Sequence, residues 1–185
     1  MPAEISRKLF SIDDCYRMAD VGILSPHERV ELIRGEIVNM TPIGPRHGAV
    51  VDRTAQTITR LIGDAVIVRA QGTVELDRFS APQPDIAVLR KRDDFYAGQN
   101  PGPADILLIV EVAESSLEYD RTVKAALYAI AGIREYWVAD LQNARVLCYT
   151  APEQEAYRVV RELRSGDRIA PQLLPELVLP VEVLL

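Results

Sequence analysis

Four side chains in the 185-residue chain combine reactive type with suggestive spacing. Asp85 follows Pro84 at the entry to the apolar run IAVLR. Glu111 interrupts ILLIVEVA, where six apolar residues, Ile106 to Val110 and Val112, surround one acid. Asp120 and Lys124 are four apart in a helical pattern and share a face. Each has an ordinary reading. Asp85 can be a capping or solvated acid at a strand end. Glu111 can be half of a buried salt bridge, a feature that stability rarely needs. Asp120 and Lys124 can be a surface ion pair worth about 0.3–0.5 kcal/mol. Yet a short, unbroken apolar run reads as a strand buried on both faces, and an ionised carboxylate there is costly without a partner.

Taken together, the four point to different chemistry. Two acids on neighbouring strands can converge and bind a hard divalent cation. Magnesium is typically held by one or two carboxylates with waters and substrate phosphate. Lys124 lies beside the apolar stripe of its helix, so its stem can run along the sheet and set the ammonium over a strand end. There it can orient a water or stabilise charge developing on a phosphate. A cation would also give Glu111 a partner and let an acidic protein approach a polyanion.

The elements that must position these groups follow from local signals. Ser11 with Asp14 starts a helix that runs to about Gly22. SPHE predicts a second, short helix, with Ser25 as N-cap, Pro26 at the first helical position and Glu28 at N3. In VELIRGEIVNM, Arg34-Gly35 reads as a tight hairpin between two strands. Val51, Ala55, Ile58 and Ile62 form one stripe of a helix over 47–62. AVIVRAQ, TVELD and PDIAVLR read as strands, and YAGQNPGPAD as a loop. After the Glu111 strand, Ser115 with Glu118 predicts a capping box, and Tyr119, Val123, Leu127 and Ile130 the inward face of a helix ending at Gly132. EYWVAD, ARVLCYT and AYRVVREL are further strands, followed by the tail LPELVLPVEVLL. This order predicts an α/β or α+β domain with a mixed sheet and helices packed on it.

Composition narrows the function. The net charge of -6 gives no global attraction to nucleic acid or to an anionic membrane, so a nucleic-acid function needs a local basic surface or metal ions. No apolar run is long enough for a membrane span, and MPAEISRKLFSIDD has acids where a signal peptide is apolar, so a soluble cytoplasmic protein is expected. Neither GxGxxG nor GxxxxGK[ST] occurs, and GxSxG is missing too. Two histidines exclude a multi-histidine zinc site. Cys15 and Cys148 are expected to be reduced, packed thiols.

Pro84-Asp85, Glu111-Val112, ELIRGEIVNM followed by a histidine, and the run VEVAESSLEYDRTVKAALYAIAGIREYWVAD resemble the Uma-two family, read as endonucleases of the restriction-endonuclease-like (PD-(D/E)xK) superfamily. The resemblance covers roughly residues 10–150. It implies one restriction-endonuclease-like domain over 1–185, a central mixed β-sheet flanked by helices, and a site using Mg²⁺ or Mn²⁺ to hydrolyse nucleic acid, DNA more than RNA. Asp85 and Glu111 match the metal-binding acids. The superfamily's usual lysine position, two after the acid, holds Ala113; Lys124 matches the family's displaced lysine. Glu31 matches an acid before the hairpin turn, as a further ligand, a general base or a plain strand-end acid. Gln71, His47 and Asp120 are secondary candidates. No membrane partner is expected; a homodimer is one expected arrangement, symmetric dimers being the commonest oligomers. The competing expectation is a non-enzymatic nucleic-acid-binding or assembly module on the same fold. The acidic charge and Ala113 favour it.

Overall fold

In the computed structural model, which describes residues 7–25 and 27–185, the Glu111 run lies inside a six-stranded sheet. β1 (Val30–Ile33) and β2 (Glu36–Asn39) form a separate hairpin. The main sheet contains β3 (Val66–Ala70), β4 (Ile86–Arg90), β5 (Ile106–Ala113), β6 (Glu135–Asp140), β7 (Arg145–Glu153) and β8 (Ala156–Arg164), in that spatial order. All its pairings are antiparallel except β5 with β6, so the sheet is mixed, as predicted. A parallel pair needs a crossover between its strands. Here it consists of α3 (Leu117–Tyr119), a π-helical turn (Asp120–Lys124) and α4 (Ala125–Ile130).

Strand alternation divides the core into two layers. Leu108, Val110 and Val112 of β5 face α2 (Pro45–Ile62), which contributes Val50, Val51 and Ile58. Leu174, Leu177, Leu179, Val181 and Leu184 of the C-terminal segment complete that layer. Ile109 and Ala113 face the opposite layer, with Leu127, Tyr128 and Ala129 of α4, Ile33 of the hairpin, and Tyr136 and Tyr149. Glu111 shares the parity of Ile109 and Ala113, so it projects into the α4 layer.

Several local expectations hold. Ser11 and Asp14 form the reciprocal capping box of α1 (Ile12–Asp20). Arg34 and Gly35 have φ of 50° and 80°, the two positive values that a type I′ hairpin turn requires. Cys15 and Cys148 are free thiols. Among the described residues, no helix is long and apolar enough to cross a membrane.

Others are corrected. Pro26 lies outside the described residues, and the residues after it form no helix. The Ser25 N–H donates to Glu28 Oε2 at 2.7 Å, so the capping bond closes a turn instead. TVELD forms no strand: Val74 and Glu75 donate to the carbonyls of Pro82 and Pro101, and Asp77 makes an isolated bridge with Ser80. The crossover starts at Leu117 after Ser116, with no side-chain cap, so Ser115 and Glu118 form no capping box. Its buried residues are Asp120, Lys124, Ala125, Leu127, Tyr128 and Ala129, while Ile130 is exposed. The inward face of the first turns is polar, while of the apolar stripe read from the sequence Leu127 is buried and Val123 packs partly buried against the same layer.

Candidate active site

The β4–β5 register explains how two acids meet. Ile86 pairs with Val110 in antiparallel fashion, so one step outward Asp85 lies opposite Glu111. The two are tied reciprocally. The Asp85 N–H donates to Glu111 Oε2 at 3.1 Å, and the Val112 N–H donates to Asp85 Oδ2 at 2.8 Å. These bonds also satisfy backbone groups where the β4 ladder stops.

The crossover brings the cation. Asp120 and Lys124 bound the π turn, and both are buried. Single π turns inside helices are rare and frequent at functional sites. Lys124 Nζ donates to Glu111 Oε1 at 2.9 Å and to Glu31 Oε1 at 3.1 Å. Glu31, on β1, also accepts the Gln83 N–H at 2.8 Å through Oε1. One helical turn after Lys124, the Tyr128 hydroxyl donates to Glu111 Oε1 at 2.9 Å. From α2, His47 Nε2 lies 2.9 Å from Asp85 Oδ1. Asp120 Oδ2 accepts a short bond from Ser116 Oγ.

Asp85, Glu111, Lys124, Glu31, His47 and Asp120 therefore converge on one cavity of about 320 Å³. Arg29, Tyr119 and the Met40–Gly44 loop complete its wall. Gln71 is the exception. Only its backbone reaches the site, donating to the Asp85 carbonyl at 3.0 Å from a residue at φ 50°. Sequence reasoning missed Tyr128, Gln83 and Tyr119. Tyr128 was within reach, since it lies four residues after Lys124 and on the same face.

The charges are unbalanced. Five carboxylates, Glu31, Asp85, Glu111, Glu114 and Asp120, line the cavity against one lysine, one arginine and one histidine. Burial opposes the charge on Lys124, but Glu111, Glu31 and Asp120 outweigh it and hold the ammonium protonated. Burial pushes the Glu111 carboxyl well above its ordinary range, with Lys124 opposing and Asp85 and Asp120 adding to the rise. Burial likewise raises Asp120 to about 6. Asp85 is also desolvated, yet its bonds from His47 and Val112, with the charge of Lys124, hold it below the usual value. The Asp85 bond raises His47.

This donor set suits a hard cation: buried oxygen ligands carrying surplus negative charge. Among the described residues, no three or more His, Cys, Asp or Glu side chains form a ready metal cage. A site of one or two carboxylates completed by waters and phosphate needs none.

The site thus lies where a mixed sheet pairs two acids near the ends of two central strands and receives a lysine from the crossover helix. The family model Uma2, described as "Putative restriction endonuclease", matches residues 12–182, and the chain belongs to that family. Among solved structures, the fold is shared by "a putative nuclease belonging to DUF820" from Anabaena variabilis, with TM-score 0.71 and 16% identity over 95% of this chain and 97% of that one. No protein of curated function matches the chain.

Proposed function

We propose that the protein is a Mg²⁺- or Mn²⁺-dependent nuclease hydrolysing phosphodiester bonds, in DNA rather than RNA. The observation that carries this reading is the meeting of Asp85, Glu111 and Lys124 on one cavity wall. Membership of a family described as restriction endonucleases supports DNA as the substrate.

Asp85 and Glu111 would hold the cation. When bound, such a cation neutralises phosphate charge and acidifies water. The chain's own groups prepare that site. The Val112 N–H and His47 orient Asp85; Tyr128 and Lys124 orient Glu111. Lys124 is charged, so it serves as a donor to developing negative charge, and a further N–H remains beyond the two it spends. Glu31 receives both its donors through Oε1, which leaves Oε2 to orient or deprotonate a water.

The test is cleavage of duplex DNA, single-stranded DNA and RNA with each metal. Asp85→Asn, Glu111→Gln and Lys124→Ala should each lower cleavage by roughly 100-fold or more, with far-UV circular dichroism unchanged. A wild-type protein that cuts none of these substrates with either metal would end the enzymatic reading. The second reading, a non-enzymatic nucleic-acid-binding or assembly module, draws on the Lys124 bridge, which already pairs Glu111 and Glu31 without a metal. Calorimetric titration of wild-type protein with Mn²⁺ separates them: the nuclease binds the ion, the module does not.

A further inference from the structure

Tyr119 ends α3, one residue before the π turn, and lines the same cavity. Its ring is partly exposed, but its hydroxyl oxygen is buried and has no hydrogen-bond partner among the described residues. No other buried side-chain N or O atom among those residues is left in this way. Three other buried phenols are engaged. Tyr128 donates to Glu111, Tyr136 to the Asp120 carbonyl and Tyr157 to the Ile133 carbonyl.

An orphaned buried hydroxyl bears its full desolvation cost, so it calls for an explanation. Acceptors are plentiful on this wall, where Glu31, Asp85, Glu111 and Asp120 are all carboxylates. The Tyr119 hydroxyl bonds to none of them. Donors on the wall include Arg29 and Lys124, and a phosphodiester oxygen accepts hydrogen bonds without donating any. Lys124 has one uncommitted N–H, and Tyr119 has its whole donor.

We infer that Tyr119 is a substrate-binding residue whose hydroxyl donates to a phosphate oxygen held in the cavity. The inference rests on the nuclease reading for the source of that phosphate, a nucleic-acid strand rather than free phosphate. Tyr119→Phe removes the hydroxyl and nothing else. Since no bond to the described residues is lost, the thermal midpoint should stay level or rise. Affinity for a fluorescein-labelled DNA duplex, measured by anisotropy with Ca²⁺ in place of Mg²⁺, should fall about tenfold, the scale of one hydrogen bond to a charged acceptor. KM with Mg²⁺ should rise with it. If wild type binds the duplex and Tyr119→Phe binds within twofold of it, the inference fails and the nuclease reading stands. A marked drop in the midpoint also overturns the inference, because the hydroxyl would then have a structural partner. If wild type neither binds nor cuts any oligonucleotide, the nuclease reading fails. Inorganic phosphate with Mg²⁺ then decides: thermal stabilisation of wild type alone supports the donor role, and equal responses of the two proteins refute it.

Discussion

Lys124 shows how charge assigns roles in a crowded site. Held protonated by three carboxylates, it is a donor at neutral pH and no candidate for a general base. Asp120 behaves oppositely. Its carboxyl is raised from 3.8 to about 6 in the folded protein, chiefly by burial. Between those values the folded chain keeps a proton that the unfolded chain has released. Stability therefore falls as pH rises from about 4 to about 6, by about 3 kcal/mol for this group. Asp120→Asn has no such proton to lose. Urea denaturation at pH 4.5 and 7.5 should show wild type losing more stability than the variant on the way up. At this scale the sequence was partly legible. Asp85, Glu111 and Lys124 stood out because their types clash with an apolar context. His47 was only a secondary candidate, because its partner Asp85 is 38 residues away and nothing local announces the bond. Tyr119 looked like one more apolar position on a stripe.

At the scale of elements, the hairpin matters because it delivers Glu31. Its tip cannot swing freely: the Phe10 N–H donates to the Gly35 carbonyl and the Gly35 N–H to the Phe79 carbonyl. A Cβ on Gly35 would lie 2.6 Å from Leu9 Cβ, and φ there is 80°. Gly35→Ala should cost at least about 1–2 kcal/mol from the left-handed backbone alone. The clash with Leu9 adds to that and shifts β1, so cleavage should weaken along with the urea midpoint. Arg34-Gly35 was readable because turn chemistry is local. The crossover was harder. Periodicity there assumes that inward residues are apolar, and this helix turns Asp120 and Lys124 inward. The polar face that hid its packing is the face that builds the site.

The whole molecule depends on distant pieces. The C-terminal segment read only as an apolar tail, yet Leu177, Leu179, Val181 and Leu184 are fully buried against the α2 layer. Thr54 and Arg53 of α2 bond to the Val183 carbonyl, and the Gln172 N–H donates to buried Glu135. None of this shows in periodicity, because the segment folds back as short irregular pieces whose partners lie far away in sequence. The mixed sheet was foreseeable from the order of strands and helices. The crossover that joins the single parallel pair also carries Lys124 onto Glu111. Sheet closure and desolvation of the ion pair are therefore expected to fall in one kinetic step. Replacing all three partners by apolar residues, Glu31→Leu and Glu111→Leu with Lys124→Met, should speed refolding, as removal of buried charge can do. Stopped-flow fluorescence can follow it through Trp137, the sole tryptophan, which is buried in β6 beside β5. A protein that assembles its charged centre while closing its sheet trades speed of folding for the certainty that every folded copy has the centre built.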